Sequence, residues 1–215
     1  MKYVFVFLTF VSLATSSLAA PSLSDVRVVD GDTLKIGDQS YRIHGIDAPE
    51  IGQTCGPWAC GKDAANALLG LVSGERVRCE AVDTDRYGRT VARCFAGERD
   101  IGAAMVDAGL AWAFRKFSMD YAVLEDAAKA AGIGVWAHDA VPPWDFREDR
   151  WLASSKASPV KGCPIKGNIS GNGRIYHAPW SPWYSRTQIN EAKGERWFCN
   201  EREAVQAGWR APYWP

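Results

Sequence analysis

Between Val26 and Glu50 the chain is punctuated by Asp30-Gly31-Asp32, by Gly37-Asp38 and by Asp47-Ala48-Pro49. The intervals are rich in Val, Ile, Thr and Tyr and too short for a helix of ordinary length. They read as strands: Asp25 to Ile36 with Gly31 at a turn, then Ser40 to Ile46 after the hairpin signal Gly37-Asp38. Pro49 has no N–H for a ladder, so the chain leaves the sheet there.

Downstream the period changes. Ala65, Leu68, Leu69 and Val72 fall at i, i+3, i+4 and i+7 and predict a helix over Gly61 to Val72. Glu75 to Val82 and Arg89 to Phe95 predict two strands around the polar turn Asp83 to Gly88. Ile101, Ala104, Met105 and Ala108 mark a second helix closed by Gly109, and Tyr121, Leu124, Ala128 and Ala131 a third closed by Gly132. Short strands with interspersed helices specify a five-stranded Greek-key β-barrel with about three α-helices packed on it. Val141-Pro142-Pro143-Trp144 marks the end of that domain. Ser154-Ser155-Lys156-Ala157-Ser158-Pro159 has the composition of a linker.

The expected organisation is a signal peptide over 1–20, a main domain over 21–150, a linker over 151–160 and a small module over 161–215. Lys2, the apolar run Tyr3 to Leu13 and the small residues Ser16 to Ala20 carry the first of these expectations. The apolar run is shorter than the roughly 20 residues a spanning helix needs, so the mature chain is expected to lack a membrane span. Export to the periplasm or beyond suits an even set of six cysteines. Fifteen pairings are possible. Proximity favours Cys55 with Cys60, Cys79 with Cys94 and Cys163 with Cys199, and the close Cys-x-x-Cys spacing of a zinc site is absent.

Charge is unevenly spread. Asp25 to Arg150 holds 15 Lys/Arg against 21 Asp/Glu, a net of −6, whereas Trp151 to Pro215 holds 9 against 4, a net of +5. An acidic main domain is a poor non-specific magnet for nucleic acid, and the basic tail partly offsets it.

The same early runs concentrate chemistry. Asp30-Gly31-Asp32-Thr33 and Arg42-Ile43-His44-Gly45-Ile46-Asp47-Ala48-Pro49-Glu50 set carboxylates beside a guanidinium, and Asp85-Arg86-Tyr87-Gly88-Arg89 adds two arginines. Carboxylates next to arginine suit a hard cation and an anionic substrate. Taken singly, each run is ordinary turn or surface chemistry. In order, they resemble the staphylococcal nuclease (thermonuclease) family from about Val26 to Trp136.

The resemblance implies an OB-fold barrel and calcium-dependent hydrolysis of single-stranded DNA and RNA to 3′-phosphate ends. It implies Asp32, Asp47 and the Ala48 carbonyl as Ca2+ ligands. Arg42 and Arg89 would be phosphate clamps, and Glu50 the base or water-positioning group. Arg86 and Tyr87 would lie near the substrate. Many relatives carry Thr where Ala48 stands, and tyrosines where Arg115 and Phe117 stand. Phe117 can still stack on a base and Arg115 can still meet phosphate. His44 is read as structural. The tail from Cys163 to Arg210 resembles a small module appended to exported nuclease-like proteins, with six of the 10 Trp from Trp151 onward building a tiny core pinned by Cys163–Cys199. A monomer is expected. The alternative is a non-catalytic OB-fold module that holds nucleic acid or an envelope polysaccharide.

Overall fold

The computed structural model describes residues 26–85 and 88–214. The expected signal peptide, Arg86 and Tyr87 lie outside the described residues.

The early turns form where the glycines require them. β1 (Val26–Asp30) pairs antiparallel with β2 (Thr33–Ile36), which pairs antiparallel with β3 (Gln39–Ile43). Gly37, in the turn between β2 and β3, has φ 57°, a conformation that costs glycine nothing. β4 (Ile46–Asp47) follows, and then α1 (Cys60–Val72), whose buried face carries Ala64, Ala65, Leu68 and Val72. β5 (Val77–Thr84) and β6 (Thr90–Ala96) form the second hairpin, with Cys79 opposite Cys94. β7 (Arg99–Asp100) leads into α2 (Ile101–Asp107), capped by the Asp100 carboxylate accepting from the Ala103 N–H at 3.0 Å. β8 (Trp112–Ala113) pairs with β4, and α3 (Ala122–Ala131) ends at Gly132 in the left-handed conformation.

The main sheet runs β1-β2-β3-β6-β5 with β7 on β6, and β3 and β6 are parallel. It is a mixed sheet. Its outer strands β1 and β5 are not paired with each other among the described residues, so the pairing does not complete the ring that a barrel implies. At β1 another part of the chain takes up an open bond: the Trp214 N–H donates to the Val28 carbonyl at 2.9 Å. The core beneath the sheet joins Val28, Leu34, Ile43 and Ile46 to Leu68, Ala92, Ile101, Met105 and Val106.

The segment 151–160 corrects the linker expectation, since it is helical as far as Ala157. α4 (Pro143–Ala157) starts at a proline whose fixed φ suits a first helical turn. Leu152, Ala153, Lys156 and Ala157 are strong helix formers, and the serine pair sits near the end without breaking the helix. Beyond it, β9 (Ile165–Ser170), β10 (Gly173–His177) and β11 (Arg196–Phe198) make a small sheet in the order β10-β9-β11, followed by α5 (Glu201–Gln206). Its core is Ile165, Tyr176, Phe198, Ala204 and Trp209, the aromatic core expected. The cysteines join as the three local pairs: Cys55–Cys60, Cys79–Cys94 and Cys163–Cys199. No helix among the described residues is long and apolar enough to cross a membrane.

Candidate active site

The acidic turn is pressed onto the chain by a small residue. A side chain at Gly31 would meet the Ala48 and Ala64 methyls at 2.7 and 2.8 Å, so glycine lets the turn between β1 and β2 lie against β4 and α1. Asp32 is thereby buried and accepts from the Ala48 N–H at 3.1 Å and from the Thr33 hydroxyl at 2.8 Å. The Asp32 N–H in turn donates to Asp30 at 3.1 Å.

β3 places Arg42 opposite Thr33, and its guanidinium reaches two carboxylates together. Nη1 donates to Asp32 Oδ1 at 3.1 Å. Nη2 lies 3.0 Å from Asp32 Oδ2 and 2.8 Å from Asp47 Oδ1. Because Asp32 and Asp47 bond the same nitrogen, both carboxylates face one point. Asp47 is fully buried at the end of β4.

Glu50 is held by its loop. Its backbone N–H donates to the side chain of buried Gln53 at 3.2 Å, and the Gln53 N–H returns to the Glu50 carbonyl at 2.7 Å. A Cβ at Gly61 would sit 1.7 Å from that carbonyl, so only glycine lets the first turn of α1 approach so closely. The Cys55–Cys60 disulfide closes the intervening loop.

Arg89 stands in the turn between β5 and β6. Its Nε donates to Asp85 at 2.7 Å and its backbone N–H to the same carboxylate at 2.9 Å. Gly88, at φ 83°, makes that turn. Burial weighs against the Arg89 charge, and the carboxylates of Glu201 and Asp85 outweigh it, so the guanidinium stays charged.

Arg147 has no counterpart among the sequence-predicted residues. From α4 its Nη1 donates to Asp47 Oδ1 at 2.9 Å and to Glu50 Oε1 at 2.8 Å, and its Nη2 to Asp47 Oδ2 at 2.6 Å. In sequence it stands within Asp145-Phe146-Arg147-Glu148-Asp149-Arg150, an alternation of signs that reads as a solvated helix face. Nothing local singles it out, because its partners lie about a hundred residues earlier.

Proton affinities follow this arrangement. Burial pushes Glu50 up to about 7 against the pull of Arg147, and Asp32 and Asp47 push the same way. Burial, then the charges of Asp32 and Glu50, hold Asp30 well above the carboxylate range. Burial would also raise Asp32, but Arg42 and the Ala48 N–H outweigh it and hold Asp32 low. Arg42 loses by burial and gains more from Asp32 and Asp47, so it stays charged.

The remaining substrate candidates lie to one side. Phe117 is exposed and meets Phe114 edge-on at 4.8 Å, and Phe114 stacks on Trp144 at 5.5 Å and 8°. Arg115 is engaged by α3: Nε donates to Glu125 at 2.6 Å, and Nη2 to the Ala122 carbonyl at 3.1 Å and to Asp126. His44 lies 3.3 Å from Asp120.

The donor chemistry fits a hard cation. Two buried carboxylates converge on one point, with Glu50 bonded to the same guanidinium as Asp47, and calcium prefers carboxylate and carbonyl oxygens. As they stand, these oxygens are bonded to Arg42 and Arg147. No group of three or more His, Cys, Asp or Glu among the described residues is set to hold an ion.

Residues 40–138 match the model of the staphylococcal nuclease homologues, and residues 147–211 match that of ArfC. The chain is 34% identical over 126 residues to the succinoglycan biosynthesis protein ExoI of Rhizobium meliloti (strain 1021), covering 55% of this chain and 66% of that one. It is 35% identical over 130 residues to an uncharacterized endonuclease of Escherichia coli O157:H7, covering 57% of this chain and 82% of that protein. It is 35% identical over 122 residues to the probable staphylococcal-like nuclease CAN3 of Oryza sativa subsp. japonica, covering 55% of this chain and 31% of the plant protein. The chain belongs to the staphylococcal nuclease homologue family.

Proposed function

We propose that this protein is an exported, calcium-dependent nuclease that hydrolyses phosphodiester bonds of DNA and RNA and leaves 3′-phosphate ends. In this reading a monomer carries a nuclease domain over 21–150, built on the family's OB barrel, and a C-terminal module over 161–215. The observation that carries it is Arg42 bonded at once to buried Asp32 and Asp47, with Glu50 beside them. Relatives named as endonuclease and staphylococcal-like nuclease support the activity. The disulfides support an oxidising compartment.

Asp32, Asp47 and the Ala48 carbonyl would hold the ion. Calcium bound there supplies Lewis-acid polarisation of a phosphoryl oxygen. Arg42 and Arg89 present planar forks to the remaining phosphate oxygens and stay charged at every working pH. Such donors are worth roughly 10²–10³ in rate where charge grows in the transition state. Glu50, poised near neutrality by burial, takes the proton of the attacking water or orients it. The exposed Phe117, with Phe114 and Trp144 behind it, offers an apolar face for a base.

The test is cleavage of single-stranded DNA and RNA by the disulfide-intact chain with calcium and with chelator. Calcium-dependent cleavage lost in Glu50→Gln and Arg89→Gln supports the proposal. Cleavage indifferent to chelator, or unchanged in both variants, overturns it. Binding without cleavage under every condition favours the binding-module alternative.

A further inference from the structure

The Asp47 carboxylate is bonded on both oxygens by a residue from outside the nuclease motifs. Oδ1 accepts from Arg42 Nη2 and Arg147 Nη1, and Oδ2 accepts from Arg147 Nη2. A carboxylate oxygen has two lone-pair sites, so Oδ1 is filled. Arg147 also takes Glu50 Oε1, so one guanidinium spans a candidate ligand and the candidate base.

The guanidinium is delivered there by a built scaffold. Gln53, whose backbone holds the Glu50 loop, donates its side-chain N–H to the Val141 carbonyl at 2.6 Å, just before α4 begins. Trp144, in the first turn of α4, stacks on Phe114 and lies edge-on to Trp112 at 6.4 Å. Arg147 is three residues further and so on a neighbouring position of the same helix face. Tethered this way, the cation competes as an intramolecular partner at high effective concentration.

We propose that Arg147 is a tethered occupant of the carboxylate site, and that a divalent cation binds only by displacing it. Arg42 also yields bonds to an entering ion, since it holds Asp32 at two points and Asp47 at one, but Arg147 is the guanidinium that holds both Asp47 oxygens and Glu50 together. Arg147 therefore raises the cation concentration at which the site opens. The proposal rests on the calcium reading above.

Titration calorimetry with calcium chloride tests it on the full, oxidised chain, comparing wild type, Arg147→Gln and Arg150→Gln. Arg150 is exposed on the same helix and packs over Phe146, so its substitution removes an equal charge without touching the site. The expected result is affinity about tenfold or more tighter in Arg147→Gln, since a bidentate charge-assisted pair no longer has to be broken. Arg150→Gln should change affinity less than about threefold, as screening of an exposed charge requires. Equal gains in the two variants, or affinity in Arg147→Gln unchanged or weaker, overturn the proposal while leaving calcium binding standing. Absence of binding in every folded variant removes the calcium reading and the proposal with it. A second measurement needs no variant: the Arg147 side-chain NH signals of the wild type, followed by NMR during a calcium titration. They should lose their hindered rotation and solvent protection as the ion binds. Signals unaltered at saturation overturn the displacement.

Discussion

Replacing Arg42 by Gln separates holding the fold from doing chemistry, because the two losses answer differently to calcium. Asp32 and Asp47 are almost completely buried and share this guanidinium. Removing one partner of a buried ion pair costs about 3–5 kcal/mol, chiefly because the other is left charged and dry. Here Arg147 still bonds Asp47, and Thr33 and the Ala48 N–H still bond Asp32, so the expected loss is about 3 kcal/mol, at the lower end of that range. For a chain of this size, this corresponds to a fall in Tm of about 6–12 °C without divalent ion. In the proposed reading, calcium would restore positive charge between the two carboxylates and should recover about half or more of that fall. The rate should not recover, and cleavage of a single-stranded oligonucleotide at saturating calcium should stay down by about 10²–10³. Circular dichroism melts with and without calcium and a gel-based cleavage assay on the same samples provide both readings. A Tm within about 2 °C of wild type in chelator would show that the pair carries little stability. A rate within about threefold of wild type would remove Arg42 from the chemistry.

Three further outcomes follow from the geometry. In the ion-free protein the Glu50 carboxyl, followed by carbon NMR, should titrate with a midpoint near the value of about 7 that burial imposes, and higher in Arg147→Gln, which removes the cation that lowers it; a midpoint in the usual carboxylate range refutes the burial account. His177 is held neutral by burial and by the charges of Arg186 and Lys166, with its pKa lowered from 6.5 to about 4. The unfolded chain therefore binds a proton that the folded one refuses between those values, and stability should fall as pH drops from about 6.5 to about 4, by up to about 3 kcal/mol. Denaturant melts at pH 7 and pH 4 should show a smaller difference in His177→Gln. Replacing Cys79 and Cys94 by alanine opens a loop of sequence separation 15 and should cost about 3 kcal/mol of stability. It should also lower the cleavage rate by loosening the hairpin that carries Arg89, and an unchanged rate would show that the cross-link serves the fold alone.

Much of the nuclease part was legible because its signals are local. Gly37 turns the hairpin where the dipeptide said it would, α1 follows the Ala65-Leu68-Leu69-Val72 spacing, and α3 stops at Gly132. The local cysteine pairs were legible for the same reason. Family resemblance picked out Asp32 and Asp47 as ion ligands and Arg42 as a phosphate clamp, and their bonding to one another was not part of that reading. α4 was not, because it buries little beyond Pro143 and so shows no apolar stripe, and its two prolines read as an ending although the second opens the helix. The reach of Arg147 is a tertiary fact with no local mark. The barrel was expected from the run of short strands and helices and from family resemblance, and no local pattern in β1 or β5 says whether their outer edges find each other.

The contact at Trp214 bears on how the molecule comes to be folded. Its indole N–H donates to Asn66 at 2.8 Å across a sequence separation of 148, and its backbone completes the open bond of Val28. Contacts of such span carry a large loop-closure penalty and form late. The β1 edge and the exposed face of α1 at Asn66 therefore stay uncovered until the tail has emerged. A chain threaded through a membrane would pass through an interval in which its nuclease sheet exists without its clasp, and that interval is when it is most open to proteases and to edge pairing with other chains.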